Sequence, residues 1–101
     1  MDFYARTASV DGTELVQLHG ELDLATAAHI DDLRRVVRRP KVLVDASGLT
    51  FVDVRGMAAL LAWHQALVDE GGEGLVVRNA PPLLRRVAEL TGTTGVLGLD
   101  D

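Results

Sequence analysis

From Asp2 to Leu22 apolar and polar residues come in near alternation, first through DFYARTASV and then through TELVQLHGEL. That is the period of a half-buried strand. Asp11-Gly12 divides the two runs, and such a pair between alternating segments is a strong hairpin signal. Two antiparallel strands are expected. From about Leu24 to Arg39 the spacing lengthens: Ile30, Leu33 and Val37 share one helical face, with Asp31, Asp32, Arg34 and Arg38 on the others. Pro40 is expected to stop that helix.

KVLVDA is almost continuously apolar, like a strand buried on both faces of a sheet. SGLT reads as a turn. A second helix follows, capped by Asp53, carried by MAALLAWHQALVDE to about Glu70 and closed by Gly71-Gly72. GLVVRN is a further buried strand. Pro81-Pro82 suits the first turn of a third helix, PPLLRRVAELTG, in which Leu83, Leu84, Val87 and Leu90 share a face and Gly92 marks the stop. VLGL reads as a short closing strand. The order β-β-α-β-α-β-α-β predicts an α/β fold: a small mixed, mostly parallel sheet with an antiparallel N-terminal strand and helices packed on it.

Composition narrows the functions open to such a fold. The 101 residues are expected to form one domain, 1–101, with a formal net charge of -5. An acidic chain has no general electrostatic reason to bind nucleic acid or an anionic membrane. The basic clusters RRVVRRPK and LLRRV alternate with acids along their helices and read as solvated faces. They carry no interleaved aromatic platform for bases. The chain has no cysteine, which excludes disulfides, thiolate zinc sites and cysteine nucleophiles. MDFYARTASV lacks the basic and apolar regions of a signal peptide, and no run approaches a membrane span, so a cytoplasmic setting is expected.

Three carboxylates, Asp23, Asp45 and Asp53, are expected near the C-terminal edge of the strands, where α/β proteins place their sites. One reading is a cluster that binds Mg²⁺ or accepts a phosphoryl group. The preferred reading is local: Asp23 and Asp53 cap helices, and Asp45 bonds the SGLT turn. A phosphoryl-accepting receiver needs a late lysine, and the sole lysine, Lys41, opens its strand. His19, His29 and His64 form no HxxxH or HExxH pair; His64, on the helix-two stripe, reads as a hydrogen-bonded core or boundary residue. GGEG follows a helix instead of preceding one, so it is a helix stop and not a phosphate loop. Trp63 lies on the flank of helix two, either covering the rim of the core or anchoring a partner. Ser47 and Thr50 have no histidine near them in sequence. No nucleophile–base–orienter set emerges, so neither enzyme activity, a cofactor nor a metal is expected.

The start of helix two is unusual. Arg55 would sit in the first turn of helix two, where the macrodipole disfavours a cation by about 0.3–1 kcal/mol. Gly56, a poor helix former, stands beside it.

GELDLATA, VLVDASGLTFVDVRGMAALL and PPLLRRVAELTG together resemble the STAS domain, specifically the bacterial anti-sigma factor antagonists, over nearly the whole chain. The resemblance implies a partner-binding module whose partner is a kinase-like anti-sigma factor or another regulatory protein. That kinase would phosphorylate a serine in an Asp-Ser-Ser-Gly stretch at the start of helix two. Here the stretch is Asp53-Val54-Arg55-Gly56, so Arg55 stands at the acceptor position and carries no hydroxyl. The implied partner surface comprises Asp23, Ser47, Asp53, Val54, Arg55 and Gly56, with Trp63 as an outlying member. Arg55 then either pairs with an anionic group on a partner, belongs to a STAS subunit of a transporter or sensor complex, or simply pairs with Asp53 or Asp23. A nucleotide-binding protein or small enzyme using the acidic strand edge is the remaining alternative.

Overall fold

The computed structural model describes residues 3–37 and 39–99. Strands β1 (Phe3–Val10) and β2 (Thr13–Leu22) form the expected antiparallel hairpin. Its two-residue turn puts both Asp11 (φ 51°) and Gly12 (φ 82°) in the left-handed region. This suits a type I′ connection and explains the Asp-Gly pair. Helix α1 (Ala27–Val36), strand β3 (Lys41–Val52), helix α2 (Val54–Asp69), strand β4 (Gly74–Arg78) and helix α3 (Pro82–Thr91) follow. The four strands lie in the order β1-β2-β3-β4, with β2, β3 and β4 mutually parallel.

The helices share one face of the sheet. Val16, Leu18, Val42, Val44, Ala46, Leu75 and Val77 point into that layer and are buried against Ile30, Met57, Leu60, Leu84 and Ala88. α1 meets α2, and α2 meets α3 and β4. The fold is thus a two-layer α/β arrangement whose other sheet face carries no helix.

Four expectations change. SGLT is not a turn: β3 runs through it to Val52. Between Gln17/Asp45 and His19/Gly48, and again between Gly20/Leu49 and Glu21/Phe51, β3 uses one more residue than β2. Each extra residue is a bulge that flips the inward-facing parity, so the buried positions run Val42, Val44, Ala46, then Leu49, then Val52. This broken alternation is what imitates a turn. Helix α1 is shorter at both ends than expected, with Leu24 exposed before it and Val37 already extended after it, so Pro40 does not supply the stop. Arg38 lies outside the described residues.

In α3 the buried set is Leu84, Val87 and Ala88, while Leu83 and Leu90 face solvent. The i, i+3, i+4 stripe runs through the small Ala88 and leaves the two leucines beside it. VLGL forms turns and not a strand. It still lies on the outer edge of β4, where the Val77 N–H donates to the Leu97 carbonyl at 3.0 Å, and Leu97 and Leu99 are buried.

The helix stops agree with the sequence. Gly71 and Gly72 end α2, their N–H groups donating to the carbonyls of Val68 and Leu67, and Gly92 (φ 69°) ends α3. Arg34–Asp31, Arg35–Asp32 and Arg86–Glu89 are solvated pairs one turn apart.

Candidate functional site

β3 continues past the last residue of β4. Its pairing with β4 ends at Asp45↔Arg78, whereas its pairing with β2 continues to Leu22↔Val52. The chain then enters α2 through Asp53, whose N–H donates to the Leu22 carbonyl at 3.2 Å. The Asp53 carboxylate accepts from the Gly56 N–H at 2.8 Å, the expected N-cap. The mouth of α2 is therefore fastened directly to the end of β2.

Gly56 is the contact that allows this. A Cβ at that position would fall 2.3 Å from the Leu22 carbonyl oxygen and 2.8 Å from its carbonyl carbon. Both are backbone atoms that cannot swing away. Gly56 is buried against β2 and presents no side to the surface. The glycine is required by packing between helix and strand.

On the other side of Gly56 the mouth is open. Val54 is 61% exposed, Phe51 42% and Leu24 67%, and Arg55 is exposed in the first turn. Among the described residues Arg55 makes no ion pair. The expectation that it pairs with Asp53 or Asp23 is not met: the Asp53 carboxylate caps α2, and the Asp23 carboxylate is taken up by the turn before α1. The Asp23 carboxylate accepts from the Thr26 N–H at 3.1 Å, and Thr26 Oγ1 donates to the Glu21 carbonyl at 2.6 Å. Asp23 thus closes the turn before α1, and Thr26, not Asp23, is the residue at the N-cap.

The three acidic residues do not gather. Asp23 and Asp53 flank the α2 mouth, but Asp45 sits in the middle of β3, at β4's last pairing, roughly 20 Å of strand before Asp53. Its carboxylate accepts from the Ser47 N–H at 3.0 Å across the first bulge and from Asn79 Nδ2 at 3.3 Å. The bond from Ser47 lowers the Asp45 carboxyl from its usual value near 3.8. Among the described residues no three His, Asp or Glu side chains come together as a metal site. Ser47 is exposed at that bulge and not at the α2 mouth.

Trp63 requires a correction. It is fully buried in the core, so it neither rims the fold nor can touch a docked protein, and its Nε1 finds no acceptor. His64, beside it, is the hydrogen-bonded residue expected: its Nδ1 accepts from the Leu75 N–H at 3.0 Å. The exposed apolar members Leu24 and Phe51 were not foreseen. The sequence pattern starts the first helix at about Leu24 and gives Phe51 no role; the longer β3 and the shorter α1 leave both exposed at the strand ends.

The order and pairing of these elements, and the three motifs in their places, define a STAS-type α/β domain. The family model described as "Mlab, STAS domain" matches residues 5–99, and the chain belongs to that family. An anti-sigma factor antagonist from Mycobacterium paratuberculosis superposes with a TM-score of 0.79 at 28% identity, covering 94% of this chain and 82% of its own. The Bacillus cell fate determinant SpoIIAA in its phosphorylated form gives a TM-score of 0.66 at 22% identity, covering 91% and 86%. A sulfate transporter family protein from Wolinella succinogenes gives 0.75 at 17% identity, covering 90% and 75%. No match was found among curated proteins. Among the described residues no helix is long and apolar enough to cross a membrane.

Proposed function

We propose that this chain is a non-enzymatic protein-interaction module of the anti-sigma factor antagonist type, docking a kinase-like anti-sigma factor on the mouth of α2. The observation that carries the reading is Arg55: an exposed cation with no ion-pair partner among the described residues, held at an unfavourable helix terminus, with exposed Val54 beside it in sequence and exposed Leu24 and Phe51 in the segments that lead from the ends of β2 and β3. Apolar contacts around an arginine are the composition of an interface centre. Asp53 and Gly56 shape the platform from beneath, and Asp23 fixes the adjoining loop. Arg55 stands where the family's acceptor serine stands, so the partner's kinase activity finds no hydroxyl there. Likeness to the Mycobacterium antagonist supports this choice of partner.

A STAS subunit of a transporter complex is the second reading, favoured by the likeness to the Wolinella protein. The two part in one experiment. The chain is mixed with a cognate kinase-like anti-sigma factor and ATP, then captured and analysed by mass spectrometry. Stable capture with no phosphate on the α2 mouth is the expected result. Phosphate on Ser47 or Thr50 would show a displaced switch, and absence of any capture would refute the antagonist assignment.

A further inference from the structure

The helix-free face of the sheet is ordered in cross-strand rows. Arg6, Gln17, Asp45 and Arg78 are successive partners across all four strands. The next row toward the hairpin turn is Ala8, Leu15, Leu43 and Val76, entirely apolar. Leu15 and Leu43 are half-buried without any helix above them. A groove of about 540 Å³ lies over both rows. At the β4 side the C-terminal turn closes in, with Gly98 against Val76.

We infer that this groove binds a small amphiphilic carboxylate, its apolar body lying across the strands on the Ala8–Leu15–Leu43 row and its acid group on Arg6 or Arg78. Three observations select that occupant. The volume is that of a small-molecule site, within the usual range of about 300–1,000 Å³. The two rows lie roughly 7 Å apart along the strands, so one molecule reaches both. Arg6 and Arg78 make no ion pair among the described residues, and Asp45 between them is engaged by Ser47 and Asn79. In a chain of net charge -5, this face carries two guanidiniums without a carboxylate partner among the described residues, that of Arg6 lying 5.9 Å from the Tyr4 ring centre.

Strand spacing sets the Cα atoms of Arg6 and Arg78 roughly 14 Å apart, with Gln17 and Asp45 between them. A lone guanidinium clasps a carboxylate through two parallel hydrogen bonds. The groove lies on the face opposite the helices, so this inference stands apart from docking at the α2 mouth.

Decanoate is the probe, with decanol as its uncharged counterpart, each titrated into the ¹⁵N-labelled protein below its aggregation threshold. Saturable shifts are expected at the amides of Ala8, Leu15, Gln17 and Leu43. The double variant Arg6→Gln/Arg78→Gln alters only exposed side chains, and it should weaken decanoate by about tenfold while leaving decanol unchanged. Equal binding of decanol and decanoate, or shifts centred on Leu24, Phe51 and Val54, would overturn the assignment. So would shifts of the groove amides with protein concentration alone, which would make a second copy of the chain the occupant.

Discussion

Replacing Arg55 by glutamate should stabilise the isolated domain while weakening its docking. Arg55 is the second residue of α2, beside backbone N–H groups that carry the positive end of the helix dipole. A cation there costs about 0.3–1 kcal/mol, and an anion gains a similar amount. With no ion pair to lose, charge reversal is worth roughly 0.6–2 kcal/mol. For a domain of this size each kcal/mol moves the melting temperature by about 4–8 °C, so a rise of roughly 3–15 °C is expected at low salt. Screening should shrink the rise as salt approaches 1 M, where the Debye length is about 3 Å. Thermal unfolding followed by circular dichroism at two ionic strengths measures both effects, and calorimetric titration against the partner measures the lost affinity. An unchanged or lower melting temperature would refute the claim that Arg55 is uncompensated within its own chain. A higher melting temperature with undiminished affinity would remove Arg55 from the docking face.

Two further outcomes follow from the same geometry. Gly56→Ala, which adds about 0.5–1 kcal/mol in an ordinary helix, should here destabilise by roughly 1–3 kcal/mol in urea unfolding, because the new Cβ meets the Leu22 carbonyl at 2.3 Å; a gain in stability would show that the contact yields. The carboxyl of Asp45 is lowered in the folded state by the bond from Ser47, so its contribution is complete above its unfolded value near 3.8 and is lost as pH falls through the lower folded value. The stability difference between the wild type and Asp45→Asn should therefore be flat above about pH 5 and shrink below about pH 4; a difference that grows in acid would contradict the hydrogen-bonded geometry.

The elements that read correctly are those whose signal is local. Asp11-Gly12 sets its own turn, Asp53 caps the helix three residues ahead, and Gly71-Gly72 and Gly92 stop the helices they follow. What did not read correctly depended on distant partners. SGLT loses its alternation because β2 imposes two bulges on β3. Trp63 looks marginal on a helical wheel, but α1 and α3 both flank α2, and the side chain is fully buried. The two arginines of the open face stand far apart in sequence and come into one row only through the register of four strands. At the α2 mouth, the places of Asp53 and Arg55 are legible from the helix start, whereas the exposure of Leu24 and Phe51 depends on the fold.

The paired bulges make the length of the stretch from Asp45 to Asp53 a stricter constraint than its composition. Each inserted residue turns the strand over, and only the second returns it, so together they deliver Val52 inward and Asp53 onto Leu22. Thr50 faces solvent and can change at little cost, whereas the exposed Ser47 side chain also bonds Asp45. Removing a single residue between them would leave the strand inverted when it reaches the helix, sending Val52 into water and the capping carboxylate away from its amide. In this segment the frame of the backbone, more than the identity of its side chains, decides whether α2 begins where it must.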